Sequence, residues 1–398
     1  MRGASVLISG IGIAGPALAF WLSRHGFVPT LVEKANELRR DGYIIDFWGL
    51  GYEIADKMGL LPEILRAGYH VKEVRLVDRS GRRVGGFDAD IFRRSTQGRY
   101  TSLPRGDLSA ILYAAVERQV EALFGNSLRA LDEDEDGVLV HFEHGLSRRF
   151  DLVVGADGLH SNLRRLAFGD ERQFERFLGY TVAAFESSGY RPREEGVYLA
   201  FGVPGLQIAR FSMRDDRTMF LIVLAEEAAA NVSAHDLDAQ KRYLARRCAG
   251  LGWECDAVLQ ALDHCDQLYF DRVSQIRMDR WWKGRVALVG DAAAAPSLLA
   301  GEGSALALIS AYVLAGELAR TPQRPESGLV RYEQLLQGFL RQKQDSAAGF
   351  AGSFAPRTRL GVFLRNQVTK AFALPFLGQL LLGSSLKDRI HLPSYSMR

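Results

Sequence analysis

The chain has 398 residues, 47% of them hydrophobic and 24% charged, and its net charge is +3. That length exceeds what one simple core serves, so two domains are expected, and the small charge excludes a surface built to track nucleic-acid phosphates. Cys248, Cys255 and Cys265 are odd in number and lack metal-ligand or CxxC spacing, so they read as reduced thiols of a cytoplasmic protein with no metal site.

The N-terminus enters an apolar strand, Ser5 to Ser9, within a few residues, which leaves no room for a secretory leader. A glycine turn follows, Gly10-Ile11-Gly12-Ile13-Ala14-Gly15, then a predicted helix from about Pro16 to Gly26 and a second strand, Thr30 to Val32, closing on Glu33 and Lys34. This is the βαβ pattern of a dinucleotide fingerprint. A pyrophosphate is held by backbone N–H groups at a helix N-terminus only where no side chain intervenes. Gly10 permits the tight turn, Gly12 the approach of the pyrophosphate, and Gly15 the close packing of helix on strand. Glu33 is placed to accept both ribose hydroxyls of an adenosine, and the motif leaves open whether the nucleotide is NAD or FAD.

Further along, Gly42 to Gly49 brackets β-formers and aromatics, including Asp46, Phe47 and Trp48, in an extended segment, and a helix is expected over Gly51 to Met58. Short alternating pieces between about Val71 and Gly98 predict a hairpin. Arg105 opens a periodic helix expected over Leu108 to Leu123. A second hairpin is expected over Ala130 to Phe150, with the acidic run Asp132 to Asp136 as a solvated turn. An apolar strand then delivers Gly155-Ala156-Asp157-Gly158 at its carboxyl end, where open α/β sheets bind ligands. Short β-like runs from about Arg172 to Asp271, among them Ile208 to Ser212 with Phe211 and Thr218 to Leu224 with Phe220, are interrupted by a helix over Asp236 to Leu251. Together with the first hairpin they predict one antiparallel sheet inserted in pieces. The parallel pattern returns at Arg285 to Gly290 and Asp291, followed by an uncharged loop up to Glu302 and an apolar helix over Ser304 to Ala319. Helices over Leu329 to Lys343 and Phe363 to Leu382 close the chain. The apolar stretch Ala371 to Gly383, about 13 residues, falls short of a membrane span.

Three glycine–acid signals at the ends of predicted parallel strands, in this order and spacing, resemble the class A flavoprotein monooxygenases with the p-hydroxybenzoate hydroxylase fold. The resemblance covers essentially the whole chain. By phrases such as Gly250-Leu251-Gly252-Trp253-Glu254 it is similar to the tetracycline-inactivating branch and to natural-product hydroxylases. It implies an α/β fold: a Rossmann-like FAD-binding domain (1–72, 100–170 and 276–325), an inserted antiparallel-sheet substrate domain (73–99 and 171–275), and a C-terminal helical segment (326–398).

On that resemblance Gly10, Gly12, Ala14, Gly15, Glu33 and Lys34 hold the ADP half of FAD, Arg105 contacts the flavin chain, and Arg39 approaches the ribityl or ring edge. Asp157 and Gly158 support FAD and a transient NAD(P)H. Gly290 and Asp291 bind the ribityl hydroxyls, and Pro296 to Gly303 with Ser304 passes beside the isoalloxazine. Simpler roles stand beside these: Asp291 as a helix cap, Asp157 as a turn residue, Arg105 as a surface helix start, and His160 as a packed or surface imidazole. Asp46, Phe47, Trp48, Phe211, Phe220 and Pro296 are the candidates for a substrate cavity.

The chain departs from the family at Ala294 and Ala295, where relatives commonly carry a His, and at Gly301-Glu302-Gly303-Ser304-Ala305, where they carry Gly-Gln-Gly-x-Asn. Nor does the strand Thr218 to Leu224 carry the His used by the tetracycline-inactivating enzymes. The implied activity is hydroxylation of a hydrophobic aromatic or polycyclic small molecule using NAD(P)H and O2 through a flavin C4a-hydroperoxide, in a protein read as monomeric. An FAD-bound cyclase whose flavin is structural, or a redox-silent small-molecule binder, is the alternative. Absence of NAD(P)H oxidation despite bound FAD is the observation that separates them.

Overall fold

A computed structural model describes residues 3–39, 42–225, 232–233, 236–372, 388 and 390–395. Among these, six strands form the cofactor sheet in the spatial order Trp282–Lys283, Val286–Leu288, Leu152–Gly155, Ser5–Ser9, Val28–Glu33, Glu121–Phe124. All neighbours are parallel except the first pair. Ser5–Ser9 lies at the centre because both its faces are covered, and Val6, Leu7 and Ile8 are fully buried. Helix Ala14–Arg24 packs on this sheet and against the apolar helix Gly303–Arg320, with Trp21 edge-on to Tyr312 at 5.0 Å.

The second sheet has seven strands among the described residues, in the order Tyr269–Ile276, Glu175–Ser188, Arg217–Leu224, Leu206–Ser212, Val197–Val203, Glu73–Val77, Arg83–Asp88. The hairpin 73–88 and the later strands thus share one sheet, as the sequence suggests. One join is not antiparallel: Val197–Val203 runs parallel to Glu73–Val77. The back face of this sheet buries Phe185, Phe201, Ile208, Phe220 and Ile222 beneath helices Leu237–Cys248 and Cys255–Asp263. The opposite face carries Phe211, Met219 and Leu221 toward the cofactor domain.

The long helix Pro325–Phe354 ties the two sheets together. Its Tyr332 hydroxyl donates to Leu288 O at 3.1 Å in the cofactor sheet, and its Gln344 amide donates to Ile276 O at 2.6 Å in the other. Helix Arg359–Ala371 then returns along the edge of the second sheet; of the apolar stretch Ala371 to Gly383, residues 373–383 lie outside the described residues.

Two sequence expectations are corrected. The helix expected over Leu108 to Leu123 spans only Arg105–Ala114, because Glu121–Phe124 leaves it to pair in parallel with Thr30 to Glu33 at the sheet edge. The acidic turn is also shorter than expected: strand Leu128–Asp134 runs through Asp132 to Asp134 before Gly137–Phe142 begins.

Candidate functional site

The carboxyl ends of the three central parallel strands open on one cleft, into which Gly10, Gly12, Ala14, Glu33, Lys34, Arg39, Arg105, Asp157, Gly158, Asp291, Pro296, Gly301, Gly303 and Ser304 all face. Gly15 and Gly290 frame it from behind. A Cβ on Gly15 would stand 1.9 Å from Gly10 O, and Gly290 takes φ +62° against Ala14. Two long helices aim their N-termini at the cleft, Ala14–Arg24 and Gly303–Arg320. The amides of Gly12, Ile13 and Ala14 donate to no backbone carbonyl of the described residues, and neither do those of Gly303 and Ser304. Free N–H groups at a positive helix end are a donor set that fits an anionic pyrophosphate.

Around those donors the side chains are arranged by charge. Glu33 accepts from Ile11 N and Ala35 N, each at 3.0 Å, one per oxygen, which leaves lone pairs for ribose hydroxyls. Arg105 begins its helix with N donating to Tyr43 O at 3.0 Å, and its guanidinium lies beside Gly12. Asp291 starts the short helix Asp291–Ala294 with its carboxylate beside Gly303. It has no hydrogen-bond partner among the described residues; burial pushes its pKa up, partly offset by Arg105. An acceptor left open at this depth fits a polyhydroxyl chain. Asp291→Ala is therefore expected to lose about 1.5–3 kcal/mol of cofactor affinity, roughly 10- to 150-fold in Kd. Titration of apoprotein with FAD checks this, and an unchanged Kd would remove Asp291 from the role.

Asp157 is occupied differently. Its oxygens accept from Ser161 Oγ, Leu163 N at 3.0 Å and Ser9 Oγ at 3.3 Å, so it fastens the strand end to helix Asn162–Phe168 while one edge faces the cleft. Glu302 does not face the cleft. It pairs with Lys343 on the long helix at 2.8 Å, and Lys343 in turn pairs with Asp388 at 2.9 Å. The acid at this position is thereby paired from behind by a cation it shares with Asp388. His160 sits at the rim with Nδ1 2.8 Å from Glu171 and Nε2 3.0 Å from Asp271. Those two carboxylates, Asp271 foremost, raise its pKa to about 10, so it is a fixed cation bridging the two sheets' domains rather than a proton shuttle near neutrality.

At the far end of the cleft stand Tyr43 and Tyr269, ring centroids 5.7 Å apart. Burial raises the Tyr43 hydroxyl to about 12 and pushes that of Tyr269 well above its ordinary value, so both are neutral phenols. Both also pack into the apolar layer on the inner face of the seven-stranded sheet, with Phe211, Tyr198 and Leu221. Asp46 stands near Tyr198 of this layer, though it is not among the residues that line the cleft. Tyr100 and Ser102 donate to its Oδ1 at 2.5 and 2.6 Å, burial pushes its pKa up, and Oδ2 has no hydrogen bond with the described residues.

The other substrate candidates divide. Phe211 belongs to the inner layer, and Pro296 lines the cleft. Phe47 does not line the cleft: Ile45, two residues earlier on the same strand face, does, whereas Phe47 is fully buried in the core against Tyr52. The expectation for Phe220 is corrected as well. It is register-paired with Arg210, one residue away from the Phe211–Met219 pair, and so points to the back face, stacked on Phe185 at 4.8 Å. Trp48 lies 6.3 Å from Tyr100, outside the cleft lining.

Three buried polar residues that fix the site carry no sequence pattern. Gln275 donates to Pro296 O at 2.8 Å and Gln344 to Ala295 O at 3.0 Å, so two amides hold the loop after Asp291 in place. Arg164, fully buried, donates to Ala292 O at 3.1 Å and Leu159 O at 2.6 Å and pairs with Glu171 at 2.5 Å, joining the second glycine–acid motif to the third.

Comparison with known proteins shows the family and the fold. The family described as FAD binding domain matches residues 3–343. The chain is 37% identical over 348 residues to an uncharacterized protein of Mycobacterium tuberculosis, covering 85% of this chain and 91% of the relative. It is 32% identical over 391 residues to a flavin-dependent monooxygenase of an unknown prokaryotic organism, covering 98% of each. Among solved structures, the tetracycline destructase Tet(51) superposes with a TM-score of 0.84 at 30% identity, covering 99% of this chain and 100% of that one.

Proposed function

Because the chain belongs to the FAD-binding-domain family and is an FAD-dependent monooxygenase of class A, we propose that it hydroxylates a hydrophobic aromatic or polycyclic small molecule with NAD(P)H as reductant. The observation that carries this reading is the pair Tyr43 and Tyr269, which belongs at once to the cofactor cleft and to the apolar face of the second sheet. A flat apolar substrate lying on that face would stand beside the cofactor cleft with little water between. The likeness to a tetracycline destructase supports a polycyclic class.

Bound FAD supplies the electron storage and oxygen activation. The chain's own residues bind and orient. The free amides of Gly12 to Ala14 and the carboxylate of Glu33 take the ADP half, Arg105 the adjoining chain, and Asp291 a ribityl hydroxyl. Gln275 and Gln344 hold the loop Ala295–Pro296 rigid beside the ring site, which keeps the distance from substrate to cofactor fixed. Asp46 Oδ2 accepts a substrate hydroxyl, so that a phenol is held by one polar contact within an otherwise apolar wall. In the net reaction one oxygen atom of O2 enters a substrate C–H bond and the other leaves as water, while NAD(P)H and one proton are consumed.

The test is turnover under 18O2 with a panel of polycyclic phenols. One product carrying a single 18O atom per NAD(P)H oxidised is expected. Nicotinamide oxidation that yields only hydrogen peroxide with every compound would count against the substrate class.

A further inference from the structure

Helix Arg359–Ala371 is built inside out. At 100° per residue, Leu360, Phe363, Leu364 and Val368 fall on one stripe, and that stripe faces away from the other described residues: they are 65%, 57%, 52% and 51% exposed. A helix packed on a soluble protein normally turns such a stripe toward the core. Here the inward face is polar. Arg365 donates to Gln207 Oε1 at 2.7 Å and to Phe354 O at 3.0 Å, and Thr369 Oγ1 accepts from Gly86 N at 3.3 Å. The glycine pair Gly85-Gly86 makes this contact possible, since a Cβ on Gly85 would stand 2.8 Å from Thr369 Oγ1. The polar anchors therefore fix which face looks out, and the four large apolar side chains are not a packing accident of a loosely attached helix.

The charge around the stripe says what it faces. Helix Arg359–Ala371 contains no Asp or Glu, and besides Arg365, which turns inward, its cations are Arg359 and Lys370. Arg359 and Lys370 are exposed and fall on one flank of the stripe. A second copy of this chain placed face to face would bring these cations against their own equivalents with no acid between them. An anionic bilayer surface accepts both features at once, taking the Leu and Phe side chains among its acyl chains and the cations at its phosphates. We propose that helix Arg359–Ala371 docks this protein on anionic lipid membranes, lying in the interface plane with Leu360, Phe363, Leu364 and Val368 inserted.

The test is flotation of the full-length holoprotein with vesicles of phosphatidylcholine alone and of phosphatidylcholine with phosphatidylglycerol. Wild type is expected to float with the anionic vesicles, less with the neutral ones, and to be released partly by high salt. Phe363→Ser/Leu364→Ser is expected to lower the bound fraction at least about tenfold, and Arg359→Glu/Lys370→Glu to lower it on anionic vesicles selectively. Both pairs are exposed, so unchanged FAD content and circular dichroism verify that the variants fold. Wild type that stays unbound on every vesicle overturns the proposal, whether or not gel filtration shows a dimer that the Phe363→Ser/Leu364→Ser variant splits. Binding that survives both variants overturns it equally.

Discussion

Gly15→Ala is expected to yield a nearly colourless protein, with FAD content below about a tenth of wild type. The added Cβ would stand 1.9 Å from Gly10 O and 3.5 Å from Ile8 Cγ2. The second is an ordinary contact, but Gly10 cannot yield. Gly10 N is bonded to Val32 O at 2.7 Å, and Gly10 holds φ +110° so close to Ala156 that its own Cβ would stand 2.6 Å from Ala156 O. Relief comes only if helix Ala14–Arg24 tilts off the strand, which withdraws the amides of Gly12 to Ala14 from the pyrophosphate and opens the contact with helix Gly303–Arg320. Absorbance of the purified protein in the flavin band reads the outcome, and a variant as yellow as wild type would mean that the turn is softer than its hydrogen bonds indicate.

Arg164→Leu is expected to cost roughly 2–5 kcal/mol of stability, because two carbonyls lose their donor and a partly exposed carboxylate loses its cation. Arg164 is fully buried, and its loss leaves Ala292 O and Leu159 O without their donor and Glu171 with His160 alone. Since Ala292 directly follows Asp291, the cofactor site loosens together with the fold, so FAD affinity falls alongside the urea midpoint. An urea midpoint equal to wild type, at equal slope, would show that the pair is dispensable.

What could be read from the sequence follows from how local each feature is. The glycine turns and the acids behind them are fixed by backbone conformation over a few residues, and Gly10 to Gly15, Asp157 and Asp291 arrive at one cleft as their strand ends require. The helical period over Leu108 to Leu123 runs past the helix end at Ala114, because Glu121 to Phe124 carries no local strand signal strong enough to oppose it. Its pairing with Val28–Glu33 is a tertiary gain. Phe211 and Phe220 look equivalent in a list of aromatics and are separated only by strand register, which puts them on opposite faces. Gln275, Gln344 and Arg164 find their partners on other elements; the Gln344 amide reaches back to Ile276 and Ala295, and Arg164 forward to Ala292. Buried polar contacts of that range have no periodicity to betray them. The replacement of the family's Gln by Glu302 reads as a loss in sequence, whereas the structure supplies Lys343 to balance it.

The central claim is that nicotinamide-driven FAD chemistry is coupled to an aromatic substrate held against Tyr43 and Tyr269. Its most direct test is anaerobic mixing of the FAD-loaded protein with NADH or NADPH, alone and with a panel of polycyclic phenols, following loss of the flavin's visible absorbance. One nicotinamide is expected to bleach the flavin, and at least one phenol to accelerate the bleaching. A flavin that neither nicotinamide reduces, with or without any phenol, would contradict that claim.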